Sequence, residues 1–539
     1  MWMVYSNEHY SINNIGIHGM ITWGWTGLSH DASLAVFVDG NLEYAGHAER
    51  HSKRKNDPFI HAGLMHEALK YGPPEKIFFY ETPWLKKTRQ LYAGQYNLLK
   101  KQSPDHFLEM PYDVMKKSGL PLKTWLDESE KFPASGPLTD KLPKSISTRH
   151  HLAHAAGGYY TSDYDDATIV VLDSIGEWET FTIWQGVDNE LKKVYSQSYP
   201  HSVGIWYSAM TQRIGLKPQE HEYILMGMAA IGDPDKYYDI IKKDFIAQMP
   251  TKKNPYIKFK RNCHRGCMDW RPYLKSVQEI ADIASATQRI YEEIFVGIIE
   301  HARYANPSKN LVLMGGCTLN CVANSLAAEY YDNIWIMPNP GDAGSAIGCV
   351  LAHTKERIEF KNPFLGTDIP GEYPIEELLE DLHELKITAV ASGRAEFGPR
   401  ALGNRSILAD PRGSDVKDRV NKIKQREAFR PFAPMILEEH VDKYFEMPVK
   451  SSPYMQFVAK CKKPKEFPAI VHYDDTSRVQ TVDKDMGPVR TLLERWYKET
   501  GCPMLLNTSL NIKGKPLVNC NTDAQQWSAN YGVDICLPR

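Results

Sequence analysis

The stretch "SLAVFVDGNLEYAGHAER" (33–50) constrains the fold more than any other. Two apolar runs flank Asp39-Gly40-Asn41, and Asp-Gly favours the left-handed turn that folds one strand back on the next. The pattern returns in "FTIWQGVDNELKKVY" (181–195), so an internal duplication is expected. "ATIVVLD" (167–173) is a β-branched run that reads as a buried strand. Later the chain alternates. A helix is expected over 285–305 and a strand over 310–316. A second helix starts from about Asn320, and another strand covers 333–339. Hairpins followed by strand–helix alternation specify an α/β protein with more than one sheet.

With 539 residues, two or three domains are expected. Residues 356–385 hold Pro363, Pro370, Pro374 and an acidic tail, and read as a linker. Residues 1–355 then form one unit, and a new α/β unit runs from 386 to 539. No apolar run of roughly 18 residues occurs, so no membrane span is expected. "MWMVYSNEHYSINN" does not read as a signal peptide. Nine cysteines suit a reducing compartment, and the expected location is cytoplasmic. A net charge of −2 disfavours a surface that wraps duplex nucleic acid.

Chemistry concentrates in three places. In "SISTRHHLAHAAGG", His150 and His154 share a helix face, while His151 points away. Two imidazoles need carboxylate partners to bind a catalytic metal. Asp173 closes the strand "IVVLD", and Asp342 lies in "PNPGDAGSAIG". Buried histidines bonded to backbone are the alternative. "CHRGC" (263–267) is a lone half-site and reads as structural. Second, Gly315 and Gly316 precede Asn320, and Gly341 and Gly344 repeat the arrangement. Such strand-to-helix turns let backbone N–H groups approach an anion, as in the nucleotide clasp of actin-like ATPases. Tight strand–helix packing is the alternative.

Third, ten cations lie between Arg394 and Arg430: Arg394, Arg400, Arg405, Arg412, Lys417, Arg419, Lys422, Lys424, Arg426 and Arg430. Only Glu396, Asp410, Asp415, Asp418 and Glu427 oppose them. Apolar residues such as Phe397, Phe429 and Phe432 interleave, which an exposed charged face would not need. A phosphate-rich small molecule fits arginines fixed by Pro and Gly neighbours. An RNA surface is the alternative.

Taken together, "SHDASLAVFVDG", "HHLAHA", "LDSIGEWET", "MGMAAIGDP", "GGCTLNCVANS", "PNPGDAGSAIG", "GRAEFGPRALGNRSILADPR", "NKIKQREAFRPFAP", "SRVQTV" and "LNTSLNIKGKPLV" resemble the O-carbamoyltransferases of nodulation and antibiotic biosynthesis (NodU/CmcH/TobZ-like). Ser174 stands where that family commonly has Gly. The resemblance implies an N-terminal TsaD-like domain of the actin/ATPase superfamily, itself a duplicated α/β domain, followed by a YrdC-like α/β domain. It implies that carbamoyl phosphate and ATP give carbamoyl adenylate in the second domain. The carbamoyl group then moves to a hydroxyl in the first. His150, His154, Asp173 and Asp342 would bind a divalent metal, Fe(II), with Mg accompanying ATP. His30 would be the active-site histidine of the first domain, and Lys55 would hold an anionic group. Gly315, Gly316 and Asn320 would border the adenylate, with Gly341 and Gly344 in the facing turn. Arg400, Lys424, Arg430 and Arg478 would bind carbamoyl phosphate and the ATP phosphates.

The acceptor stays open between a sugar, another secondary metabolite and a hydroxymethylated nucleotide. Its pocket is expected from loops near 85–130 and 235–280. A homodimer is compatible with this reading. A threonylcarbamoyl-type tRNA-modifying enzyme and a non-catalytic nucleotide-binding protein are the competing readings.

Overall fold

The computed structural model describes residues 19–95, 143–427 and 429–539. The N-terminal stretch judged for a signal peptide, and most of the 85–130 loop, lie outside them.

The first sheet holds β1 (Ile21–Thr26), β2 (Ser33–Val38), β3 (Asn41–His47), β4 (Lys76–Phe79) and β5 (Ser145–Ser147) in the order 3-2-1-4-5. Asp39 and Gly40 carry the β2–β3 turn with φ of 50° and 81°, as the Asp-Gly pair demands. The second sheet holds β6 (Asp166–Gly176), β7 (Glu179–Val187) and β8 (Glu190–Ser198). A two-stranded ribbon follows, β9 (Ile246–Gln248) with β10 (Lys258–Phe259). Then β11 (Asn310–Met314) and β12 (Asn333–Trp335) complete the second sheet.

Its order, 8-7-6-11-12, is the first sheet repeated. In each, strands one to three are antiparallel neighbours, and strands one, four and five run parallel. The duplication expected from the two hairpins is therefore present as a duplicated α/β domain. Each half ends in a helix, His150–Tyr159 after β5 and Ser345–Thr354 after β12. These two helices pack on each other. Contact is close because a Cβ on Gly348 would lie 1.9 Å from the Ala153 carbonyl.

The long helix Val277–Ala305 starts eight residues before the expected 285. Ser276 and Glu279 form a capping box there, a start signal that apolar periodicity alone does not register.

The C-terminal part begins within the segment read as linker. β13 (Phe364–Ile369) and the helix Ile375–Glu384 fall inside 356–385. Leu378, Leu379 and Leu382 of that helix are buried in the C-terminal core. The acidic tail is thus the wet face of an amphipathic helix. β14 (Ile387–Ala391), β15 (Gly393–Glu396), β16 (Arg405–Ala409) and β17 (Ala433–Leu437) follow. After them come β18 (Phe445–Glu446), β19 (Val458–Cys461), β20 (Thr476–Arg478), β21 (Gln480–Val482) and β22 (Met504–Ser509). The main sheet runs 14-16-22-17-21, β18–β20 form a second, and β13 pairs with β15.

Polar bonds tie the two parts together. Arg50 donates to the Gly398 carbonyl at 2.8 Å and Arg394 to the Glu43 carbonyl at 2.5 Å. Asn324 donates to the Gln456 carbonyl at 3.1 Å. All nine cysteines are free, and Cys263 and Cys267 are buried in the second core. Among the described residues, no helix is long and apolar enough to cross a membrane.

Candidate metal centre and anion pocket

Four side chains converge where the two halves meet. His150 Nε2 lies 3.3 Å from Asp173 Oδ2 and 3.4 Å from Asp342 Oδ1, and His154 Nε2 lies 3.4 Å from Asp342 Oδ1. One ligand atom from each falls within 4.8 Å of all the others. The two Nε2 atoms face each other at 3.2 Å. Two imidazole nitrogens and two carboxylates, all buried, form a donor set suited to a divalent first-row metal. The facing nitrogens and the two like-charged carboxylates fit a cation placed among them. His151, as expected, points away, to Thr182 Oγ1 at 2.9 Å.

Neighbouring groups fix these ligands. Gly316 N–H donates to Asp173 Oδ1 at 3.1 Å, and Ser345 Oγ meets His154 Nδ1 at 3.2 Å. On the far side of His150, Glu81 Oε2 stands 3.9 Å from Nδ1. Burial disfavours the charged forms, but mutual attraction prevails. The Asp342 charge, with bonds to Asp173 and Asp342, holds His150 well above the usual imidazole range. Burial likewise opposes ionisation of Asp173, which its bond to His150 still draws down to about 2.

His30 stands beside this cluster, Nε2 3.7 Å from Asp342 Oδ2 and Nδ1 2.9 Å from Asp31. Burial lowers its pKa, but the Asp31 hydrogen bond and the Asp342 charge outweigh that and raise it to about 9. A cation among the ligands would offset the Asp342 charge and so lower the His30 pKa, towards a base. Lys55 pairs with Glu49 at 3.2 Å.

The two glycine turns lie side by side, Gly315 N–H donating to the Pro340 carbonyl at 2.8 Å. Gly315 has φ +96° and no room for a Cβ, which would meet Leu172 O at 2.3 Å. Asn320 is committed locally. It caps the helix Cys321–Leu326 and exchanges amide hydrogen bonds with Gln288.

The cations of this region differ in role. Arg405, fully buried, donates to the carbonyls of Asn519, Ser392, Asn404, Thr367 and Gly393. Arg394 and Arg412 are similarly spent, the latter on Asp410. Arg400 and Arg478 form no salt bridge among the described residues, and Arg478 Nε is buried without a partner. Burial, the Arg478 charge and the Arg430 charge draw Arg400 down to about 9. Burial and Arg430 lower Arg478 too. Such mutual repulsion in one spot is what an anion would relieve. Lys424 is buried beside them, its ammonium already donating to Ser509 and to Asn511 Oδ1 at 2.9 Å.

The carbamoyltransferase C-terminus family matches residues 379–537 and the carbamoyltransferase N-terminus family matches 115–351. The chain belongs to the carbamoyltransferase family. Nodulation protein NolO of Bradyrhizobium diazoefficiens is 30% identical over 70% of this chain and 75% of its own. The 3'-hydroxymethylcephem-O-carbamoyltransferase of Amycolatopsis lactamdurans is 27% identical over 94% and 95%. Among solved structures, an ADPNP-bound activator of 2-hydroxyisocaproyl-CoA dehydratase from Clostridium difficile covers 62% of this chain and 96% of its own, with 11% identity and a TM-score of 0.32.

This carbamoyltransferase also carries site residues that sequence reasoning passed over. A Cβ on Gly176 would lie 2.1 Å from His150 Cδ2; nothing in "LDSIGE" marks that glycine as a seat for a remote histidine. Tyr223 and Cys321, both from the N-terminal part, face the arginine pocket. The Arg430 guanidinium sits 4.8 Å over the Tyr223 ring, and Cys321 neighbours both Arg400 and Arg478. No local motif announces either contact, since each joins residues far apart in sequence.

Proposed function

We propose that this carbamoyltransferase is an ATP-dependent O-carbamoyltransferase with two sites. At the arginine pocket, water cleaves carbamoyl phosphate to inorganic phosphate and carbamate, and a carbamate oxygen attacks the α-phosphorus of ATP, expelling pyrophosphate. The product, carbamoyl adenylate, is a mixed anhydride with AMP as a good leaving group. At the second site an acceptor hydroxyl attacks the carbamoyl carbon, its proton leaves, and AMP is released. The C-terminal unit, YrdC-like in this reading, carries the first step, and the N-terminal unit carries the second. The acceptor is a small molecule bearing a hydroxyl group.

The observation that carries the reading is the Arg400–Arg478–Arg430 group beside Cys321, in which, among the described residues, only Arg430 has an acidic partner, Glu427 at 3.6 Å. Cys321 follows Asn320 on the loop whose Gly316 N–H holds Asp173. The cationic pocket and the four-ligand cluster thus lie at the two ends of one glycine turn. Preorganised arginines suit a step that gathers phosphate charge. His150, His154, Asp173 and Asp342 would hold a divalent metal, Fe(II) in this reading, which when bound supplies positive charge and Lewis acidity next to the adenylate. His30, beside Asp342, is placed to take the acceptor proton. A short internal route keeps the anhydride from water.

Purified protein given ATP and carbamoyl phosphate should release pyrophosphate, and only when both are present. Arg400→Ala should abolish that release. His150→Ala should spare it while blocking carbamoyl transfer, scored by mass shift on candidate alcohols. Equal loss of both half-reactions in both variants would overturn the division of labour.

A further inference from the structure

Beneath the metal-ligand cluster lies a second, buried set of charges that no step above uses. Glu81 follows β4 at its C-terminal end and is 2% exposed; Lys86, one turn into the helix Pro83–Tyr92, is 7% exposed. The Lys86 ammonium meets Glu81 Oε1 at 2.5 Å and also donates to Ser29 Oγ. The other Glu81 oxygen faces His150 Nδ1 at 3.9 Å, roughly 1 Å beyond a hydrogen bond. That nitrogen is buried and has no hydrogen-bond partner. The opposite edge of the ring, Nε2, points at Asp173 and Asp342. A neutral imidazole has one N–H and one lone pair, so the carboxylate behind the ring decides which nitrogen is free to ligate.

We propose that Glu81 is the positioning residue of the metal centre, holding His150 as its Nδ1–H tautomer, and that Lys86 locks Glu81 while anchoring the Ser29–His30 turn. One ammonium then joins the orientation of a metal ligand to the placement of the histidine beside the acceptor. A buried carboxylate and ammonium cost desolvation energy that hydrophobic residues of similar size would avoid. A positioning task accounts for the pair where plain packing would not. This inference rests on the metal reading above.

The test uses full-length protein stripped by chelator and titrated with Co(II), whose visible bands report ligation directly. Glu81→Gln keeps the size and loses the charge. It should weaken Co(II) binding 10- to 100-fold and shift the bands. Glu81→Asp should fall between it and the parent, and it substitutes for Glu81→Gln if that variant does not fold. Arg490→Gln, which breaks a remote ion pair with Glu439 and Glu494, should lower Tm without changing Co(II) affinity. If the Glu81 variants bind Co(II) within twofold of the parent, Glu81 is a structural ion-pair partner only and the inference is overturned. If the parent protein itself binds no Co(II), the metal reading fails instead.

Discussion

Replacing Gly176 by alanine tests the metal centre through a residue that carries no chemistry. Gly176 ends β6, and its φ is one that alanine adopts freely, so backbone strain is not at issue. The added methyl would sit 2.1 Å from His150 Cδ2, 2.5 Å from Cγ and 2.8 Å from Nε2. Ordinary contacts begin near 3.4 Å, so about 1.3 Å must be taken up. His150 cannot give way cheaply. It is 2% exposed, with Tyr80 5.1 Å and His154 4.9 Å from its ring centre. Overpacking of this kind costs about 1–3 kcal/mol of stability. Metal ligation tolerates only about 0.2 Å of error, so a ring displaced by more than that stops being a ligand. Co(II) affinity should therefore fall by about 100-fold or more, beyond what loss of a supporting residue costs. Pyrophosphate release dependent on carbamoyl phosphate should persist, because Arg400 and Arg478 are untouched. The assay pairs Co(II) titration with a pyrophosphate readout. Parental Co(II) affinity in Gly176→Ala would refute the ligand geometry, and loss of both readouts would show that the two sites are not separable.

Three further outcomes follow from the same geometry. Arg400→Ala should raise Tm while abolishing pyrophosphate release, because it removes like-charge repulsion with Arg478 and Arg430; a fall in Tm on thermal melting would mean the arginines are spent on structure, as Arg405 is. Metal-stripped protein should melt lower and regain about 2.7 kcal/mol at Co(II) concentrations 100 times Kd, which calorimetry with and without the ion checks. Burial, then the positive charges nearby, hold His51 down at about 3 and His47 well below its usual value. Both titrate near 6.5 when unfolded. Below that pH the unfolded chain binds more protons, so their contribution is intact above about 6.5 and lost as pH falls towards the folded values. His47→Gln/His51→Gln should therefore show a smaller drop in Tm between pH 7 and 5 than the parent, and an equal drop would refute it.

Periodicity made the repeated hairpins legible, because strand alternation and Asp-Gly turns are local signals. The helix start at Val277 was missed, since a capping box speaks through polar residues that apolar periodicity ignores. The prolines of 356–385 read as a boundary, yet Leu378, Leu379 and Leu382 carry a core-facing stripe through that segment. Ligand residue types were legible for His150, His154, Asp173 and Asp342. The roles of neighbouring cations were not. Arg400 and Arg405 look alike in "GPRALGNRS", and only the fold shows one facing other arginines and the other wrapped in five carbonyls. Asn320 and Lys424 carry the same lesson, as their polar atoms already bond within the chain.

The duplication explains why the centre lies where it does. The helix that closes the first half begins with His150 and His154; the helix that closes the second begins at Ser345, just after Asp342. These are equivalent positions in two copies of one strand order. The first hairpins correspond as well: His30 sits between β1 and β2, and Asp173 lies near the end of β6, before β7. A twofold repeat brings its equivalent loops together at one seam, so both copies can contribute to a single centre. The copies then diverge in chemistry, one supplying the paired imidazoles and the other both carboxylates. Neither half alone holds a complete donor set, and so the centre depends on the helix–helix seam, where a Cβ on Gly157 would lie 3.3 Å from Gly348 Cα. Gly348→Ala, which would drive a methyl to 1.9 Å from the Ala153 carbonyl, should part that seam and weaken Co(II) binding although it touches no ligand. Unchanged Co(II) affinity in that variant would mean the centre is held by one half, against the twofold account.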